Sequence, residues 1–248
     1  MMATVNGTRI AFTDEGHGFP LIFLHGFPYN RDVWSKQVEA FKPQFRVIAP
    51  DLRGFGESEA SFGPTSLHHF AEDLHALMDH LVTGPVVLAG QAMGGLVALA
   101  YAHAFPRLVR GLVLVGIKAR PYLSMAEVIT VASTAQKTMG TASSPGMEGG
   151  GARPLQRKDG VSWEMDAGEK KAGSGGVGHL IETLRVPILV VAGSDDPSIP
   201  IDESLVFASP APGAQFNLIP HAGQLVAFEQ AETFNQIVMN WLAWGSQR

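Results

Sequence analysis

An α/β architecture, a mostly parallel twisted sheet with helices on both faces, is predicted by three features of this chain of 248 residues. Strand-like and helix-like segments alternate through most of its length, the pattern of consecutive βα units. Several strand segments are unbroken apolar runs, such as Leu21-Ile22-Phe23-Leu24 and Leu112-Val113-Leu114-Val115, suited to a sheet covered on both sides. The third is a small-residue junction, Gly90-Gln91-Ala92-Met93-Gly94-Gly95, between an apolar strand and an apolar helix.

The elements follow in order. Thr8 to Phe12 and Leu21 to Leu24 read as strands, and Asp32 to Phe41 as a helix with Trp34, Val38 and Phe41 on one side. Arg46-Val47-Ile48-Ala49 returns as a strand. Phe70, Leu74, Leu77 and Leu81 recur at intervals of four, three and four, a helical stripe. His68, His69, His75 and His80 fall on or near its polar side and are expected to face solvent. Val86 to Ala89 is a buried strand, Leu96 to Ala102 a buried helix ended by Pro106, and Leu112 to Val115 another strand. Ile188 to Val191 and Gln215 to Leu218 are the last two strands. A closing helix carries Phe228, Phe234, Ile237, Val238, Trp241 and Leu242.

Arg120 to Leu180 interrupts this pattern. Residues 140–178 hold eleven of the chain's 28 glycines, including Gly149-Gly150-Gly151, which no helix interior accommodates cheaply. Three divisions follow: a core segment 1–119, a lid or cap insertion 120–181, and a second core segment 182–248. Long loops in compact domains usually carry function. The insertion leaves the core after a strand end and holds Tyr122, Met125 and Trp163, so it is expected to line a substrate pocket.

Composition narrows the functional classes. The chain is 46% hydrophobic and 17% charged, enough for a sizeable core, and its net charge of −5 offers no basic field for nucleic acid or anionic membrane. With no cysteine it has neither disulfides, thiolate metal sites nor a thiol nucleophile. No apolar stretch reaches the ~18 residues of a membrane span. The start carries no charged-then-apolar leader pattern, so the expected location is cytoplasmic.

Four further motifs stand in a fixed order. His25-Gly26-Phe27-Pro28 follows a strand. Asp51-Leu52-Arg53-Gly54-Phe55-Gly56-Glu57-Ser58 follows the next. Gly193-Ser194-Asp195-Asp196-Pro197 and Pro220-His221-Ala222-Gly223-Gln224 follow the last two. Together with the G-x-A-x-G junction, this set resembles the α/β-hydrolase superfamily from Thr8 to Ala119 and from Glu182 to Trp244. The resemblance implies an α/β-hydrolase fold with a nucleophile elbow at Ala92, an oxyanion loop at His25-Gly26, and a G-x-x-D acid at Asp196 rather than Asp195. His221 becomes the base, although Pro220 stands where the family more often has glycine. It also implies oxyanion donors at the backbone N–H groups of Phe27 and Met93. His25 then buttresses the oxyanion loop rather than carrying protons. No cofactor or metal is implied, and the partner is a small apolar molecule; the sequence is silent on oligomeric state.

A serine hydroxyl attacks only when a histidine takes its proton, and that histidine needs a carboxylate to fix its tautomer. Here the attacking atom is missing, because Ala92 holds the serine position. Two origins fit: an exchange of serine for alanine that silences the site or traps substrate, or a natural pseudoenzyme turned binder. A decayed enzyme is expected to lose the rest of its site as well, whereas acid, histidine, oxyanion loop and elbow glycines all stand. The exchange is therefore favoured. A third option leaves Asp196 and His221 to activate water directly. The Met93-Gly94-Gly95 that follows resembles the G-x-S-M-G-G elbow of esterases, lactonases and C–C hydrolases. The G-x-D-W-G elbow of epoxide hydrolases, with its aspartate nucleophile, is the runner-up. The function expected is hydrolysis of a small apolar ester, lactone or related carbonyl compound.

Overall fold

The computed structural model describes residues 1–60, 65–117, 181, 183–208 and 213–245. Among these, eight strands form one sheet: β1 (Met2–Val5), β2 (Thr8–Gly16), β3 (Pro20–Leu24), β4 (Arg46–Pro50), β5 (Val86–Gln91), β6 (Val109–Val115), β7 (Ile188–Gly193) and β8 (Gln215–Ile219). Their order is β1-β2-β4-β3-β5-β6-β7-β8. β2 is antiparallel to both β1 and β4, and all other pairs are parallel. The helices are α1 (Ser35–Phe41), α2 (Leu67–His80), α3 (Met93–Ala104), α4 (Ile201–Ala208), α5 (Val226–Glu229) and α6 (Ala231–Gly245).

The unbroken apolar runs resolve into two alternating sets. Ile22, Leu24, Ile48, Leu88, Leu112, Leu114 and Val190 face a core built with α2 and α3, where Phe70, Leu74, Leu77, Val97 and Leu99 are buried. Their neighbours Leu21, Phe23, Val47, Val87, Val113, Val115 and Leu189 face the other core, with Trp34, Phe41, Phe234, Val238 and Trp241. A strand buried on both sides needs apolar residues at both parities, which is why these strands lack a polar alternation.

Several expectations are corrected. The helix predicted from Asp32 opens as a 3₁₀ turn, Arg31–Trp34, capped by Asn30 accepting from Asp32 N–H at 3.0 Å, before α1 begins. The closing helix is two, α5 and α6, separated at Gln230. β1 and α4 are additional elements. His68, His69 and His80 are exposed as expected, but His75 is half-buried. Its ring stacks on Phe105 at 4.0 Å, and its Nδ1 is buried without a hydrogen-bond partner among the described residues. Phe105 follows α3 and reaches α2 only through tertiary packing, so helix periodicity alone cannot place it. All of the insertion but Ile181, including Tyr122, Met125 and Trp163, lies outside the described residues, as does the boundary drawn at 119–120.

Candidate active site

The strand-to-helix junction is strained at Ala92, the position expected from sequence to be that of the nucleophile. Ala92, between β5 and α3, has φ 46° and ψ −111°, a conformation that costs an L-residue on the order of 1–3 kcal/mol. Its N–H donates to Val115 O at 2.8 Å, and its carbonyl accepts from Gly95 N–H at 3.0 Å. The turn is tight enough that a methyl at Gly94 would stand 2.2 Å from the carbonyl oxygen of Leu24. Met93 opens α3, so its N–H has no intrahelical acceptor and is left at the start of the helix, beside Ala92.

The His25–Arg31 loop, at the end of β3, lies against this turn. A methyl at Gly26 would stand 3.3 Å from the Ala92 Cβ. His25 is fully buried, and its two ring nitrogens have distinct partners. Nε2 accepts from Leu52 N–H at 2.9 Å, so Nδ1 carries the proton and donates to Gly26 O at 3.1 Å. Burial is the largest influence on this imidazole and holds its pKa below the ordinary histidine value. A neutral ring with both nitrogens engaged in backbone bonds is a strut that ties its own loop to the Asp51 loop.

That strut has a pH signature. The folded state binds His25's proton less readily than the unfolded chain, so folding stability rises with pH across its titration. The stability is fully present above the unfolded value of about 6.5 and declines as pH falls toward the lowered folded value. Denaturant unfolding of the protein between pH 7 and pH 5 should show this loss, and His25→Gln should flatten its slope. An unchanged slope would show that other groups set the acid limb.

The Asp51–Ser58 loop locks the same region. The Asp51 carboxylate, 1% exposed, accepts from the N–H groups of Arg31 and Glu57, each at 2.8 Å, and pairs with the Arg31 guanidinium. Arg31 also pairs with Glu57, which holds the Glu57 carboxyl below its usual range. Phe55 packs edge-on against both His25 and Phe27.

The acid and histidine loops meet at the ends of β7 and β8. Asp195 N–H donates to Ala222 O at 2.9 Å, and His221 N–H donates to Ser194 Oγ at 3.0 Å. Gly193 permits this contact, since a methyl there would stand 2.2 Å from Ala222 O. The two candidate acids are held differently. Asp196 Oδ1 accepts from Ser198 N–H, Ser198 Oγ and Ile199 N–H, at 2.8, 2.6 and 3.2 Å. Asp195 is exposed and accepts from the neighbouring Ser194 hydroxyl at 2.6 Å. His221 itself is exposed and has φ 56°.

One buried bond joins the histidine loop to the elbow: Gln91 Nε2 donates to Gln224 O at 3.1 Å. Phe27, Ala92, Asp196 and His221 sit in loops that follow the carboxyl ends of β3, β5, β7 and β8, and Met93 is the first residue of α3. Sequence reasoning missed Gln91, Asp51 with Arg31, and Glu229, which is described below. The Asp51 loop was quoted as a motif, but its charged partner lies 20 residues away. Among the described residues no group of three or more His, Cys, Asp or Glu is placed to hold a metal ion. Among them, too, no helix is long and apolar enough to cross a membrane.

Comparison with known proteins agrees with the fold. A family model described as alpha/beta hydrolase fold matches residues 20–143. The chain is 29% identical to a poly(3-hydroxyalkanoate) depolymerase of Ectopseudomonas oleovorans, over 94% of this chain and 87% of that protein. It is 39% identical to a soluble epoxide hydrolase of Corynebacterium sp. (strain C12), over 41% of this chain and only 35% of that protein. In three dimensions it is similar to a malate-bound thermophilic esterase of Thermogutta terrifontis, with a TM-score of 0.75 and 30% identity. That likeness covers 99% of this chain and 98% of the esterase.

Proposed function

The chain belongs to the α/β-hydrolase family, and from that premise we propose that its site is that of a serine-type hydrolase whose nucleophile position is held by Ala92. The substrate is a small apolar ester, lactone or related carbonyl compound. The observation that carries this reading is the backbone of Ala92, which keeps a costly nucleophile-elbow conformation around a side chain with nothing to present. The N–H groups of Phe27 and Met93 are the proposed oxyanion donors, the second strengthened by the positive end of α3. His221 is the proposed base and Asp196 the acid that orients it.

In this form the protein binds its carbonyl substrate and turns it over poorly. The test is Ala92→Ser assayed against a panel of acyl esters, lactones and epoxides. A second reading takes the alanine at face value, as a binder that has left catalysis; retention of binding with no gain of activity on Ala92→Ser would favour it. The likeness to an epoxide hydrolase supports a third, in which an aspartate belongs at this position and Ala92→Asp opens epoxides.

The insertion 120–181 is proposed, on its composition, as the cover of the pocket. Ligand binding should change the fluorescence of Trp163 in a variant whose other three tryptophans are replaced. Trp163→Ala should weaken binding without unfolding the protein. Absence of both effects would reduce the insertion to a surface loop.

A further inference from the structure

We infer that Glu229 is a positioning residue for His221, acting by clamping the loop that carries it; the inference rests on the serine-hydrolase reading for its catalytic consequence. Glu229 ends α5 and reaches back over it. Its Oε2 accepts from Gly223 N–H at 2.6 Å and its Oε1 from Leu225 N–H at 3.1 Å. A methyl at Gly223 would stand 3.3 Å from both carboxylate oxygens, so the missing side chain there admits the close approach. The next residue assists: Gln230 Nε2 donates to His221 O at 3.2 Å.

The clamp has a reason to exist. His221 adopts φ 56°, a left-handed conformation that a residue with a Cβ holds only when its surroundings impose it. The backbone around it is tied at several points. His221 N–H goes to Ser194 Oγ, Ala222 O receives Asp195 N–H, and Gln224 O receives Gln91 Nε2. Of these ties only the two to Glu229 involve a formal charge, and charge-assisted bonds are roughly twice as strong as neutral ones. The Glu229 charge is also felt at Tyr29. Burial first, and then the Glu229 charge, push the phenol of Tyr29 up to about 12, and Tyr29 is two residues beyond Phe27.

A plain helix cap would use the same two bonds and affect stability alone. The two roles separate by experiment. In the chain as it stands, Glu229→Ala should abolish hydrogen-exchange protection of the Gly223 and Leu225 amides and shift the imidazole NMR signals of His221. In the Ala92→Ser background it should lower kcat by about 10²-fold, the scale of an ångström-sized misplacement, while leaving KM within a factor of about two. Glu229→Gln keeps one oxygen acceptor and should recover part of kcat. Unchanged exchange, or unmoved His221 signals, overturns the clamp; so does an unaltered kcat in an active Ala92→Ser parent. An inactive parent sinks the serine-hydrolase reading instead, and the clamp is then decided by the exchange and NMR results.

Discussion

Ala92→Ser is expected to raise hydrolysis of p-nitrophenyl acyl esters by on the order of 10⁶, the scale lost when a triad nucleophile is deleted. The size of the gain follows from how little else would change. A serine at residue 92 inherits the strained turn, with its N–H tied to Val115 O and its carbonyl to Gly95 N–H. Only one oxygen atom is added, beside the Met93 N–H at the start of α3 and beside Gly26. The acid and histidine loops are already joined through Asp195 N–H to Ala222 O, and the elbow reaches the same histidine loop through Gln91. A folded Ala92→Ser protein without esterase activity would remove the serine reading. If Ala92→Asp then opened epoxides, the runner-up would take its place.

The parts of this site that could be read from sequence are those written locally. The elbow is legible because small residues, an apolar strand and an apolar helix are adjacent in the chain. The apolar runs of β3, β5, β6 and β7 are legible because two-sided burial demands them. β1 was not, since Met2-Ala3-Thr4-Val5 is too short to show a pattern and is defined by its register against Arg9 and Ile10. α4, Ile201–Ala208, is only eight residues long and follows the acid loop directly. His75 differs from expectation because its stacking partner, Phe105, comes from the turn that follows α3. The bonds that hold the elbow and histidine loops in position also escape a local reading. Gln91 meets Gln224 across 133 residues of sequence. The contact of Glu229 with Gly223 spans only six residues, yet it depends on the chain turning back after a left-handed histidine, which no sequence rule specifies for a residue with a Cβ.

Within the Ala92→Ser background, Asp196→Asn is expected to lower turnover by about 10⁴, the scale seen when a triad histidine is held in the wrong tautomer. Asp195→Asn is expected to cost far less. The two carboxylates are adjacent in sequence, so the difference between them must come from how each is held. Asp195 contributes its backbone to the site, through the 2.9 Å bond from its N–H to Ala222 O, and that bond survives a change of side chain. Its exposed carboxylate takes up the hydroxyl of Ser194, a local contact that an asparagine oxygen can also make. Asp196 is half-buried, with one oxygen fixed by three donors from Ser198 and Ile199. A carboxylate anchored in this way has one defined orientation, which is what the partner of a catalytic histidine requires. Asparagine would keep those three bonds through its carbonyl oxygen while presenting an NH₂ in place of the second carboxylate oxygen. On the proposed assignment, the imidazole of His221 would then meet a donor where it needs an acceptor, and proton transfer would fail in a protein that is otherwise unchanged. Turnover measured for both variants, with thermal unfolding confirming that each is folded, decides the assignment: the reverse ranking would move the acid one residue toward the amino terminus, to Asp195.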